Sequence, residues 1–532
     1  MNQIDVGKLK VSPFTFVSIE EIRIEKALNE HSTLYVCGLV SEEDNITPVK
    51  DMTQGTPICF ENDGHVYFSG VLTNIKIKCE GSQYRLYAHA SSNTILLDVT
   101  KHRRSFQDNE MTYKSIVEYV IQEEEGTVEY HADEMTVENI ILQYDETDWE
   151  FAKRLASHTQ DVLIPIVSED KPTFHLGVPD GEAEMKVRNE FTIERNFNAY
   201  RGMSNQENPL TDEDVTFYTV RLGEYVCELG EPFNLNGMDL HVFRLSLSLI
   251  GSALTVDYVL ASKEALSSPK RYNRAIIGLT IDGKVLSMTD DRVKLYLVTD
   301  IEEDEPTAHL FKYATGYTAE KHTGWYVMPE VGDTVQLYFP AEDEKFAHAT
   351  SSIRQEDTTR TQDHMVKYWR TADGKEIKLD RDEILITAHD AGEIGSEITY
   401  IRLHETRGIE IHTPRPISIW SGGTLKMESV GDMTIATQSN LLINANSSIT
   451  MANGNNIMTF TPQAGIATTT NRQIRTSSGG NTSIMSSSAL NVNSTGNMGL
   501  DSGAQIDIVA GGSSISLDGG GIDALAPEIK LN

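Results

Sequence analysis

The 532-residue sequence has no apolar run long enough to cross a bilayer as a helix, which excludes a helical membrane anchor within it. Its first residues, MNQIDVGKLKVSPF, lack the basic-then-apolar pattern of a secretory signal. The expectation is synthesis in the cytoplasm, with any export by another route. Positive charge is in short supply. Against 79 Asp and Glu there are 45 Lys and Arg, and the net charge of −34 repels nucleic acid and anionic membranes. Cysteine is scarce: Cys37, Cys59, Cys79 and Cys227 are widely spaced in strand-like stretches and read as buried thiols. The fifteen histidines form no HxH or HExxH pattern, so neither a metal nor a cofactor is expected. From Ser421 to Asn532 there is one aromatic residue, Phe460, and only eleven charged residues in 112. Gly, Asn, Ser and Thr dominate that segment and exclude helix. It carries four basic and seven acidic residues, so about −31 of the charge falls on residues 1–420.

What is present in that segment is a beat. Apolar-x-apolar pairs recur every eight residues at Ile409/Ile411, Ile417/Ile419, Leu425/Met427, Met433/Ile435, Leu441/Ile443, Ile449/Met451 and, more weakly, Ile457/Thr459. After one or two irregular steps near Ile466–Ile484, where local distortions or loops are expected, it returns at Leu490/Val492, Met498/Leu500, Ile506/Ile508, Ile515/Leu517 and Ile529/Leu531. A fixed short period means one structural unit stacked on its neighbours, and disorder does not explain it. Residues i and i+2 share one side of a strand, and the Gly, Asn, Ser and Asp between the pairs make turns. Eight residues are about one strand and one turn at roughly 3.3 Å per residue, too short to close a coil. Three such sides make a triangular prism. One chain could supply three successive octads per coil, or three chains one octad each; the second arrangement requires a homotrimer.

Upstream, residues 1 to about 100 alternate apolar and polar, as in Val66-Tyr-Phe68 and Tyr84-Arg-Leu-Tyr-Ala88, and read as antiparallel strands of a barrel. Tyr113–Glu123 is helix-like. Thr147-Asp-Trp-Glu150 is a capping box opening a second helix, with Trp149, Ala152, Leu155 and Ala156 on one face. Ala265-Leu-Ser-Ser-Pro269 marks a boundary, and Arg274–Phe339 is again strand-rich. In Gly324–Phe339, Pro329 and Gly332-Asp333 make a turn and Val335, Leu337 and Phe339 alternate into a core.

Gly324–Phe339 resembles the signature strand pair of the OB-fold in VgrG-type spike proteins, and Tyr144–Ala156 resembles the helix of the phage late-control-D, or tail-hub, module that precedes it. Hub, OB-fold and β-helix in this order resemble the VgrG family and its relatives in extracellular injection systems and phage tails, over essentially the whole chain. The resemblance implies a mainly β fold with a few helices. Its parts would be a tail-hub β-barrel domain over 1–269, an OB-fold barrel over 270–353, a connector over 354–374 and a trimeric β-helix spike over 375–532. It further implies a homotrimeric central spike of a contractile injection machine, assembled in the cytoplasm and driven outward on contraction. The partners would be an Hcp-like inner tube protein, baseplate proteins, a PAAR-type tip protein and effector cargo. Two departures stand out. The Val-Gly dipeptides of the family are nearly absent, and neither the lysozyme domain nor the appended toxin of some relatives has a place here. An enzyme acting on polysaccharide would need clustered carboxylates, whereas Asp501, Asp507, Asp518 and Asp523 are sparse. A passive tail fibre or adhesin would share the repeats but not the hub and OB motifs. No catalytic residue is expected. Ile529, Lys530, Leu531 and Asn532 are expected to form the platform for the tip protein.

Overall fold

The computed structural model describes residues 8–41, 50, 52–53, 55–183, 185–198, 209–211, 213–319, 323–355, 361–388 and 399–530. The fold is mainly β. Its largest element is a twelve-stranded sheet centred on Phe16–Ala27, which pairs with Thr33–Val40 on one side and Met238–Ile250 on the other, both antiparallel. Beyond Thr33–Val40 follow Gln83–Ser92, His65–Glu80, Pro57–Asn62 and Leu9–Ser12. Beyond Met238–Ile250 follow Ala253–Ala261, Thr216–Leu222 and Phe191–Arg195, with Pro232–Leu235 and Lys186–Val187 attached beside it. The alternation that predicts these strands is what buries them: Ile22 and Ile24 point into the core while Glu21, Arg23 and Glu25 do not. Lys26 continues the inward row and is itself buried. Its ammonium donates to Tyr225 Oη at 3.0 Å and meets Glu228 at 2.5 Å, the pairing that a buried cation requires.

Residues 97–178 form a small α+β module with its own core, built on Trp149, Phe151, Phe174 and Ile116. Helix α1 is Tyr113–Val120 and helix α2 is Asp148–His158. The capping box of α2 is present: Thr147 Oγ1 accepts from Glu150 N at 3.1 Å, and Glu150 Oε2 accepts from Thr147 N at 3.3 Å. The face read from sequence is fully buried, and Phe151 joins it. Trp149 lies edge-on to Phe174 at 5.4 Å and tilted over His31 at 4.7 Å, which ties the module to the large sheet.

A five-stranded sheet follows, with pairings Leu310–Lys312 to Arg292–Leu297 to Thr280–Thr289 to Thr334–Tyr338 to His348–Ile353. A parallel bridge Tyr313–Ala349, with Ala314 N donating to Ala349 O at 2.7 Å, joins the two edge strands and closes the barrel. In chain order the cyclic pairing is 1-2-3-5-4-1, the OB topology. Val335, Leu337 and Phe339 are fully buried in it, as their alternation predicts. One detail differs: Gly324 pairs with Thr318, and residues 325–333 are a loop, so Gly324–Phe339 is not a strand pair. The strand Thr334–Tyr338 takes Thr280–Thr289 and His348–Ile353 as partners instead.

Barrel and module share a strand. Along Ile141–Thr147 and the residue before it, Ile141 packs into the module core while Ile140 and Leu142 pack into the barrel core. A buried ion pair lies beside this junction: Arg154 of α2 reaches Glu344 at 3.0 Å, Glu146 at 2.9 Å and the carbonyl of Leu142 at 2.8 Å.

The cysteine expectation holds in part. None of the four forms a disulfide; Cys37 is buried, Cys59 and Cys227 are half-buried, and Cys79 is exposed near the hairpin end of its long strand, where it pairs with Tyr84.

Candidate functional site

The expected connector over 354–374 contains a strand, Lys367–Arg370, the first of an antiparallel meander that continues through Lys375–Leu379, Glu383–Ala388, Thr399–His404 and Gly408–His412. Its two faces differ in chemistry. One carries a hydrogen-bonded ionic network: Arg402 binds Glu383 at 3.1 Å and Glu410 at 2.9 Å, Tyr400 Oη donates to Glu410 at 2.9 Å, and Lys378 approaches Glu383 at 3.4 Å. The Glu410 carboxyl is held below its usual range by the Tyr400 hydrogen bond and by Arg402. On the other face, register aligns two cross-strand rows of aliphatic side chains. Ile377, Ile386, Ile401 and Ile411 form one; Leu379, Ile384, Leu403 and Ile409 form the other. Trp369 extends the first row. Within the chain this aliphatic face is partly to largely open, from the part-buried Ile377 to Ile409 at 74 % exposed. A sheet that ties one face with ion pairs and leaves its aliphatic face in water is built to be covered.

From Ser418 to Asn532 the chain forms a second compact unit. Here the beat is visible in the backbone. Two-residue bends fall at 414–415, 422–423, 430–431, 438–439 and 446–447, and again at 471–472, 479–480, 487–488, 495–496 and 503–504. The pairs from Ile417/Ile419 to Ile449/Met451, and from Leu490/Val492 to Ile506/Ile508, lie two and four residues past a bend. The region Ile466–Ile484 is therefore not irregular. Two short meanders, over Ile449–Thr469 and Ile506–Leu525, put turns in place of bends, and their register sets Met458/Phe460 rather than Ile457/Thr459 on the face of Ile449/Met451, and Ile515/Leu517 on that of Ile506/Ile508. The three-residue turn 462–464 inserts one residue, and pairs then continue at Ile466/Thr468, Ile474/Thr476 and Thr482/Ile484 up to Leu490. Sequence reading lost these pairs because Thr replaces one apolar partner in each. The apolar members are exposed, Ile435 to 68 %, and between the two meanders and before them no ladder bonds occur among the described residues.

Of the expected docking residues, Ile529 is half exposed and Lys530 stands 3.5 Å from Glu528, while Leu531 and Asn532 lie outside the described residues. Two of the sparse acids of this unit, Asp507 and Asp518, are engaged locally. Asp507 accepts from Ser516 Oγ at 2.6 Å and from Gln505 Nε2 at 2.7 Å, and these bonds hold its carboxyl below the usual range. Asp518 accepts from Gly520 N at 2.7 Å.

Residues 25–160 match the family model of the phage tail baseplate hub (GPD), and residues 400–529 match that of an uncharacterized protein conserved in bacteria (DUF2345). The Tyr144–Ala156 resemblance lies within the residues that match the phage tail baseplate hub model. Solved structures similar to the chain include the Escherichia coli c3393 protein, described as a type VI secretion component resembling the T4 tail proteins gp27 and gp5. The identity is 13 %, covering 65 % of this chain and 100 % of that one, with a TM-score of 0.48. A lidded Francisella PdpA–VgrG complex is 9 % identical over 76 % of this chain and 79 % of that one, with a TM-score of 0.49. A 43 kDa tail protein of prophage MuSo2 from Shewanella oneidensis is 12 % identical over 50 % and 98 %, with a TM-score of 0.39. No curated protein matches the chain.

Proposed function

We propose that three copies of this chain form the central spike of a contractile injection machine. The observation that carries the reading is the aliphatic surface of the meander Lys367–His412, followed in sequence by the octad pairs, all open to water in one chain. Covering a half-exposed Ile or Leu returns about 1 kcal/mol, so two per octad over a dozen octads is ample to drive association. Three octads, one from each chain, close a layer. The competing single-chain coil needs pairing between octads three apart; among the described residues, ladders in the repeat join consecutive octads only. The hub would then meet an inner tube protein and the baseplate, and a tip subunit would seat on residues 529–532, with effectors carried by the assembly.

The role is structural, without catalysis: Asp507 and Asp518 of the repeat unit are held by local hydrogen bonds, and the acids of this unit are sparse rather than clustered as a pair of catalytic carboxylates would be. Light scattering on the eluting full-length protein should give three times the 59.2 kDa chain mass. A stable, folded monomer with a protease-resistant repeat region would refute the trimer. Peptidoglycan zymography should show no clearing, and clearing abolished by a carboxylate substitution in this chain would refute the structural role.

A further inference from the structure

In the α+β module, the strands Thr127–Tyr130 and Thr173–Leu176 run parallel, in register Glu129 to His175. Alternation sends Phe174 and Leu176 into the core, which turns His175 outward beside Glu129. His131 follows the first strand, and its backbone N–H donates to Leu176 O at 2.8 Å. Gly177, at φ +90°, lets the second segment pass close by; a Cβ there would stand 2.7 Å from Ala132 N. The backbone therefore fixes three donor side chains from two segments.

Nε2 of His131 lies 3.0 Å from Nδ1 of His175, and Oε2 of Glu129 lies 3.1 Å from the same Nδ1. All three atoms fall within 4.8 Å of one another. Proton placement does not satisfy this arrangement with neutral rings. A carboxylate only accepts, and each neutral imidazole carries a single N–H. A hydrogen on His175 Nδ1 has two acceptors to serve and aims well at one. A hydrogen on His131 Nε2 leaves Nδ1 and the carboxylate as two acceptors face to face. A cation at the common point serves all three lone pairs at once.

We propose that Glu129, His131 and His175 bind one divalent first-row transition-metal ion, Zn²⁺ being the first candidate. Two imidazole nitrogens and a carboxylate oxygen form a recurrent zinc donor set, and three protein ligands leave the fourth position to water. Imidazole donors favour this class over Ca²⁺ or Mg²⁺. Ligands about 2.0–2.1 Å from a tetrahedral ion stand about 3.4 Å apart, so the cluster needs to open by a few tenths of an ångström. Glu129 and His131 are exposed and free to make that adjustment. No local motif announces the site, because the two histidines are 44 residues apart in sequence.

The test uses the full-length chain, stripped with chelator and dialysed against Zn²⁺ alone, with Co²⁺ absorption as an independent spectroscopic readout. One ion per chain should bind saturably, with a tetrahedral Co²⁺ band, and both should vanish in H131A/H175A. E129Q should weaken binding by at least the roughly tenfold that loss of an orienting partner costs. Unchanged uptake in the double variant, or no saturable uptake by the wild type up to about 0.1 mM free Zn²⁺, overturns the proposal. Should the double variant misfold, H131A and E129Q, both at exposed positions, decide the matter on the same terms. The result is independent of whether the chain forms a trimer.

Discussion

Replacing Arg154 with methionine should loosen the junction between the hub and the OB barrel. The guanidinium is buried and fully engaged, with Glu344 at 3.0 Å, Glu146 at 2.9 Å and the Leu142 carbonyl at 2.8 Å. The Glu344 side chain is 5 % exposed and that of Glu146 13 %, so neither finds water when the cation goes. Burial already pushes the Glu344 carboxyl upward against the pull of Arg154; without Arg154 it would take up a proton to escape the uncompensated charge. Breaking a buried pair from one side costs about 3–5 kcal/mol. Glu344→Gln should cost less, because Arg154 keeps both contacts to Glu146. Arg154→Met/Glu344→Gln should recover part of the loss, with a coupling on the order of 1–3 kcal/mol. Trp149 makes the assay specific. It is 1 % exposed, whereas Trp325 and Trp420 are 70 and 89 % exposed; Trp369 is 62 % exposed in one chain but lies in the row the trimer would cover, so a Trp369→Phe background leaves the blue-shifted emission to the module under test. Urea titration followed at that emission should show the midpoint fall in Arg154→Met. A loss below about 1 kcal/mol, or additive single effects, would show that the pair does not hold the junction.

Ile401→Asp places a charge in the middle of the first aliphatic row, between Ile386 and Ile411, and in a trimer brings three carboxylates into one layer. The oligomer should dissociate in light scattering while the blue-shifted hub emission stays, and an intact trimer would place this face outside the interface. His158 gives a pH dependence. Burial, then the charges of Arg154 and Lys270, push its imidazole down to about 3, and Nε2–H donates to Arg271 O at 3.1 Å. The folded value lies below the ordinary value of about 6.5, so the stability it contributes is complete above that pH and is lost as pH falls from there toward 3. Between pH 7 and 5 the loss is on the order of 1–2 kcal/mol, and His158→Gln should remove that part of the slope in parallel urea titrations. An unchanged slope would assign acid sensitivity elsewhere.

The parts legible in the sequence are those whose information is local. The α2 capping box spans four residues, and the chain has the hydrogen bonds it predicts. Val335, Leu337 and Phe339 follow a two-residue alternation, and all three are buried. The octad beat is local in the same sense. It fades between Ile457 and Leu490 because the turn 462–464 shifts the phase by one residue and because threonine, as good a strand former, occupies half of the pair at Thr468, Thr476 and Thr482. Backbone bends carried the period where side-chain hydropathy did not.

What sequence did not disclose depends on contacts between distant segments. Gly324–Phe339 reads as a strand pair because its residues favour strands, yet strand 334–338 finds better partners about 50 residues upstream and 15 downstream. The Arg154–Glu344 pair spans 190 residues and the His131–His175 contact 44, and neither has any signature in spacing. The aliphatic face of the meander is intermediate: each strand shows its alternation, but only the register sets Ile377, Ile386, Ile401 and Ile411 in one row. That row changes the argument for association. Isolated exposed isoleucines are ordinary on a protein surface, whereas four aligned across a hydrogen-bonded sheet, backed by an ionic network that fixes their strands, form a rigid apolar surface. Rigidity matters because covering such a surface costs little further ordering entropy, so more of each buried side chain's contribution is available to hold the assembly together.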